Sequence, residues 1–515
     1  MSPSLASVID GYLDLRWRMN PVAATMAGVH EHDGRLADWS ETGVREFAAA
    51  VRSYTVSLEE ADADTLDDEI DRTAVLHAAR HDLLVLEREQ PFTRDPTLHV
   101  GQVTSGIALL RLGAAHDPEA RAVAIESRIA AVPEFLATAR VALTDPASTL
   151  IDAALEMIPA LQLLVAGAVD EIPDEASDAR SRAYDAIAAF ASWLGEAREE
   201  ATDEFAIGRP LFDRTLNTSH MIADNADVLA RYAERLKAES LASLDAIARG
   251  AGKGVNWRDL IAEHQASRPE GAAVVRAIAA SIGVWRELAS RDEMASIPPD
   301  ECLAAPMPTF LQWVAPSPLY VSAEAIGDGA RATIFVAAGP SYAEAAVLGA
   351  HDGVPGRHLF RATARRSVRP ARRVLRSTSA EDGWSLYAES LIAEHEWTSG
   401  SAPLAFIAWH LLRSAIMIEL DVALHTRDMS RADAERVLRD ELGMESGASS
   451  VVSAICALPT RALAAAIGRR DILALREDVR RARGPSFELR RFHDEYLSYG
   501  ALPPALARWG MLNDR

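Results

Sequence analysis

A chain of 515 residues with 75 acidic and 53 basic side chains carries a formal net charge of −22. So negative a body repels phosphate, which excludes a general nucleic-acid or anionic-membrane binder. Apolar residues make up 49% and charged residues 25%, the balance of a globular protein with a large core, built as a few domains or one large helical body.

In chain order, apolar residues recur at every third and fourth position over 43–62, 68–88, 119–143, 181–205, 223–249 and 272–291. This spacing predicts amphipathic helices. The run "DPEARAVAIESRIAAV" from Asp117 opens on acidic residues, as a helix start should. No regular repeat is present, which excludes a solenoid. The texture changes at 297–320, which holds six prolines. That stretch reads as a connector between an N-terminal helical half, 1–296, and a C-terminal half, 297–515, together forming one compact unit. Beyond it, "ARATIFVAA" (330–338) is short, β-branched and aromatic, a strand that would present main-chain groups to an extended peptide. The expected fold is mainly α: a large all-helical body with a deep central cleft and at most a short strand or small sheet beside the site helix.

The helix resumed by "SYAEAAVLGAHDG" runs into "AHDGVPGRHLF" (350–360), which looks like an altered zinc-hydrolase motif. His351 precedes Asp352 instead of glutamate, and His358 follows seven positions later, beyond Pro355-Gly356. On an unbroken helix that spacing leaves the imidazoles about 10 Å apart along the axis, too far for one zinc. The Pro-Gly break would have to bend the chain and swing His358 back. In "EDGWSLYAESLIAEHEW", Asp382 lies 24 residues after His358, and Glu389 is seven further on. Two histidines and a carboxylate with one open position make a catalytic zinc set. Asp352 would then activate the bound water.

These two segments resemble the bacterial domain of unknown function 885 family, whose signatures read His-Glu-x-x-Pro-Gly-His-His and Glu-Gly-Trp-Ala-x-Tyr-x-Glu. The resemblance extends to "NPVAATMAGVHEHDGRLADWS" (20–40), "LDVALHTRDMSRADAERVL" (420–438) and "FHDEYLSYGALPPALA" (492–507), nearly the whole chain. That family is similar to helical zinc peptidases of the gluzincin type. The resemblance implies one zinc ion held by His351, His358 and Asp382, with Glu389 as ligand or support. Three positions depart from the pattern: Asp352 and Asp382 replace glutamates, and Arg357 replaces the first of the paired histidines. Arg357 either points at substrate or a neighbouring acid, or places its guanidinium where the cation would sit.

Other residues carry open alternatives. Tyr387 either donates to a developing oxyanion or packs the core. Asp421 and His425, one turn apart, either form a carboxylate–imidazole pair that moves a proton or make structural hydrogen bonds. His493 contacts substrate or fastens the C-terminal helix. Arg413, a charge in an apolar helix, needs a buried acid or a substrate carboxylate. His77 and His81 have helical metal-pair spacing without a carboxylate to complete it. The arginine run 361–376 is a solvated face or a positive rim for an anionic substrate.

The expected function is zinc-dependent hydrolysis of a peptide or small amide. The alternatives are a small-molecule biosynthetic enzyme (lyase, dehydratase, cyclase or hydrolase) on the same scaffold, and a metal-free relative that binds a peptide or partner. Basic charge is almost all arginine, since only Lys237 and Lys253 are lysines, a bias that a GC-rich genome explains as readily as function. Cys302 and Cys456 form no disulfide framework, no signal peptide is visible, and no run of about eighteen uncharged apolar residues occurs. A cytoplasmic protein without membrane or nucleic-acid partners is therefore expected.

Overall fold

The computed structural model describes residues 4–113, 117–170, 177–312, 314–327, 329–337, 339–398 and 400–513. The protein is mainly helical, as expected. The helices read from apolar spacing form at Glu41–Glu60, Leu66–Leu84, Pro118–Ala142, Ser177–Glu200, Ala226–Ala251 and Ala272–Arg291. Polar caps start several of them: the side chains of Ser40, Thr65, Asp117 and Asn225 each accept a first-turn backbone N–H, which satisfies donors the helix itself cannot.

Pro96–Arg111, Ser148–Ala166 and Ser401–Thr426 are among the long helices that escaped the spacing argument. Each is apolar around most of its circumference, so no one-sided stripe marks it. By length and composition, Ser148–Ala166 and Ser401–Thr426 are apolar enough to cross a membrane, although neither is free of charge. Both contribute many residues to the protein's own cores. Ser401–Thr426 runs along Ala226–Ala251 and also meets Arg461–Arg483.

The proline-rich connector contains two strands, β1 (Cys302–Pro306) and β2 (Leu319–Val321), and the expected strand is β3 (Ala332–Val336). The sheet order is β1-β3-β2, with β1 parallel and β2 antiparallel to β3. β3 is therefore central, and both its edges are already paired. It cannot offer main-chain groups to a peptide; that expectation is corrected by sheet order. Ile334 and Val336 pack instead on Val274, Ile278 and Ile282 of the helix before the connector.

The two halves share one core, in which Tyr12, Val51 and Ile70 meet Leu359, Trp384 and Phe492. The arginine run reinforces that joint. Arg369 pairs with Asp68 at 3.0 Å and Asp71 at 2.8 Å, and Arg372 with Asp71 at 2.7 Å. Arg365 and Arg366 both take Asp300, and Arg361 takes Glu324. These guanidiniums are spent on acids of the fold and form no free positive rim.

Helices Thr378–Glu394 and Arg461–Arg483 touch backbone to backbone through two glycines. A Cβ on Gly468 would lie 1.7 Å from the Ser379 carbonyl oxygen, and one on Gly383 would lie 2.7 Å from the Gly468 backbone. Beside Gly383, the fully buried Trp384 donates its indole N–H to the Pro355 carbonyl at 2.8 Å. This hydrogen bond is one of several that tie the two motif segments. Trp384→Phe keeps an aromatic ring but strands that carbonyl, so we expect a loss of about 1–3 kcal/mol. The urea midpoint measures it, and an unchanged midpoint would mean the bond contributes nothing.

Candidate functional site

Helix Tyr342–His351 starts with a reciprocal cap, in which Ser341 Oγ accepts the Glu344 N–H and the Glu344 carboxylate accepts the Ser341 N–H. It ends at His351. The chain then breaks over 353–356 and resumes as Arg357–Ala364. Gly356 permits the break, because a Cβ there would lie 2.1 Å from the His351 carbonyl oxygen. Facing this break is the helix Thr378–Glu394, capped by Ser377. A cavity of about 1100 Å³ lies over both, lined in part by His351, Asp352, Arg357, Asp382, His410 and Arg413.

His351 Nδ1 lies 2.6 Å from Glu389 Oε1, and His410 Nδ1 lies 3.1 Å from both carboxylate oxygens. Glu389 is 1% exposed. Burial opposes its charge, yet His410 and His351 hold its pKa down at about 2. Burial likewise opposes a charged His351, but the hydrogen bond and charge of Glu389, aided by Asp352, outweigh it and raise the pKa above the ordinary imidazole value. With Nδ1 taken by Glu389, Nε2 has no protein partner among the described residues and is left to the cavity.

Beside this trio, Arg357 bridges acids. Its Nε donates to Asp352 Oδ1 at 2.8 Å, and one terminal nitrogen donates to Asp382 Oδ1 at 2.6 Å and to Glu381 Oε1 at 3.4 Å. Burial disfavours the guanidinium charge, but these three carboxylates outweigh it and raise its pKa further. His358 lies elsewhere. Its Nε2 meets the Asp300 carbonyl at 3.1 Å and its Nδ1 the Tyr320 hydroxyl at 3.3 Å, beside a separate cavity of about 70 Å³. These contacts turn His358 toward Asp300 and Tyr320, while Arg357 lines the large cavity. The break does not swing His358 back to His351.

The donor set expected for zinc is therefore not assembled. His358 is turned away, and a cation between Asp352 and Asp382 would share space with the Arg357 guanidinium. Among the described residues, the trio whose ligand atoms converge within 4.8 Å is Asp14, Glu31 and His32, and none of these lines the cavity.

Three other candidates are committed to the fold. The Tyr387 hydroxyl, fully buried, lies 2.7 Å from His493 Nε2 and accepts from Arg476 at 3.0 Å. His493 Nδ1 donates to the Met294 carbonyl at 2.6 Å, and burial pushes this imidazole down to about 4. His493 thus fastens its helix and does not reach the cavity. His425 Nε2 donates to the Ile455 carbonyl at 2.9 Å, and burial lowers its pKa to about 4. Its expected partner Asp421 accepts the backbone N–H groups of Thr460 and Leu463 instead. Burial raises Asp421 to about 7. Neither Tyr387 nor His425 lines the cavity, so their catalytic roles are withdrawn. Arg413 does line it, and it has no ion-pair or hydrogen-bond partner among the described residues. The sequence reading missed His410, whose signal was its place three residues before Arg413 on one apolar helix.

Two solved structures share the fold. One is described as "a putative lipoprotein of unknown function from Shewanella oneidensis", at 18% identity and a TM-score of 0.80, covering 99% of this chain and all of that one. The other is described as "the putative lipoprotein from Colwellia psychrerythraea", at 16% identity and a TM-score of 0.82, covering 99% of this chain and 98% of that one. A lipoprotein is a membrane-anchored or secreted protein, and these descriptions overturn the cytoplasmic location expected above. Cys302, partly buried, and Cys456, buried, form no disulfide with each other, so they do not mark a compartment. No curated protein matches the chain. Residues 21–511 match the family described as "Bacterial protein of unknown function (DUF885)", and the chain belongs to that family.

Proposed function

We propose that this protein is a metal-independent acid–base enzyme acting on a small organic molecule held in the large cavity. The observation that carries the reading is the 2.6 Å contact of His351 Nδ1 with Glu389. A carboxylate on one ring nitrogen fixes the tautomer and the ring, and it stabilises the imidazolium formed when the other nitrogen takes a proton. His351 Nε2 would take a proton from substrate or water and return it to the leaving group. This suits an elimination, dehydration, cyclisation or water-dependent cleavage. His410 holds Glu389 from its other side.

The resemblance to zinc peptidases supports the place of the cleft, but this chain has arginine at a histidine position of the motif. Arg357 brings positive charge between Asp352 and Asp382, where a cation would otherwise lie. Asp352, expected to activate water, is held by that guanidinium, so the base is His351. No step here runs through a metal.

The test is turnover on a panel of small amides, esters and β-hydroxy acids, before and after exhaustive chelation. Activity should survive chelation unchanged, in protein that carries no stoichiometric zinc by elemental analysis. Activity lost on chelation and restored by zinc would sink this reading and return the zinc hydrolase.

A further inference from the structure

The walls of the large cavity differ in character. Ala108 and Leu109 of helix Pro96–Arg111, its C-cap Leu112, and Leu311 and Val314 supply apolar lining. His351, His410 and Arg413 supply polar lining. We propose that the ligand is an organic monocarboxylate with an apolar body, and that Arg413 binds its carboxylate. This names the substrate class of the acid–base site and rests on that reading.

The argument starts from charge. Each of the other arginines lining the cavity already has partners. Arg357 holds Asp352 and Asp382, Arg376 holds Glu381 at 3.1 Å, and Arg461 lies 3.7 Å from Asp382. Arg268 donates to the carbonyls of Gln265 and Gly339. Arg413 alone among them has neither an acid nor a carbonyl among the described residues. It rises from an apolar helix, is itself exposed, and lines the cavity. Surrounding protein depresses its pKa by desolvation, with no charge to offset that.

With no acid beside it, this guanidinium is open to pairing with an anion that enters the cavity. Its planar fork matches a carboxylate with two parallel hydrogen bonds. One uncompensated cation in so acidic a protein suits one negative charge, not a phosphate dianion. Arg413 also stands one helical turn from His410, about 5 Å along the axis. A carboxylate on Arg413 therefore places the neighbouring carbons of the ligand beside the His351–Glu389–His410 trio.

The experiment measures binding of hexanoate, benzoate and hippurate, each against its primary amide, by calorimetry and ligand-observed NMR. At least one acid should bind wild type about tenfold or more tightly than its amide, the worth of one charge-assisted contact. Arg413→Met and Arg413→Gln should abolish that preference while melting at an unchanged or higher temperature, and Arg413→Lys should keep part of it. His351→Gln should leave the preference intact. No preference in any pair, a preference that survives both neutral variants, or phenyl phosphate binding more tightly than benzoate would each overturn the proposal. A carboxylate preference that depends on Arg413, with turnover indifferent to His351, would refute the acid–base reading and leave this one standing.

Discussion

Replacing Arg357 by methionine should destabilise the folded protein by about 3 kcal/mol at neutral pH, the low end for removing one partner of a buried ion pair. The side chains involved are largely enclosed: 20% exposed for Arg357, 9% for Asp352, 7% for Glu381 and 21% for Asp382. The low end applies because Glu381 retains Arg376 and Arg361, and Asp382 retains Arg461. Asp352 loses its one ion-pair partner among the described residues and dominates the loss. Denaturant unfolding measures it, and an unchanged midpoint would mean that Arg357 is not the counter-charge of this cluster. Arg357→His separates two readings of the motif. It restores the family's paired histidine next to Asp352 and Asp382, so zinc should raise the melting temperature of that variant and leave wild type unmoved. Stoichiometric zinc in wild type, with Arg357 intact, would contradict the guanidinium's role.

Acid adds a check on the same cluster. Burial alone would raise Glu381, but Arg376, Arg361 and Arg357 outweigh it and hold the carboxyl at about 2. Its folded pKa lies below its unfolded one. The stability it contributes is therefore fully present above the ordinary glutamate range, about 4.3, and fades as pH falls toward about 2.

His351→Gln should lower turnover by about 10²–10⁴, the usual worth of a positioned acid–base group, with folding and carboxylate binding retained. Glu389→Gln probes why. In wild type the Glu389 charge raises His351 against the effect of burial, so the acid limb of kcat/KM should lie above the ordinary imidazole value of about 6.5. With that charge gone, desolvation remains, joined by Arg357 and opposed by Asp352. The limb should then move to a pH below the ordinary value, and the His351 carbon resonances should titrate with it. The stability consequence has the opposite sense to that of Glu381. His351 has a raised folded pKa, so the stability of its charged pair is present below about pH 6.5 and is lost as pH rises through the folded value. A limb that stays in place in Glu389→Gln would mean another group sets the pH dependence.

Sequence by itself determined the helical class, because apolar residues spaced by helical turns must be buried on one face, as in Leu66–Leu84 and Ala226–Ala251. It also singled out two segments that line the cavity, since the Pro-Gly break and the carboxylates before and after Trp384 are local patterns with local causes. It did not reveal Ser401–Thr426 as the helix that carries His410 and Arg413 into the cavity, because a helix that is apolar over most of its circumference has no polar stripe to mark which face meets the cavity. The fates of Arg357 and His358 were decided by tertiary structure. Their neighbouring positions fix only an angle of about 100° between them, and the partners come from distant segments: Asp382 for one, Asp300 and Tyr320 for the other. The same holds for Tyr387, His425 and His493. Their chemistry is legible at any position in a chain, but whether such a group meets a cavity or a buried carbonyl depends on contacts between residues tens to hundreds of positions apart.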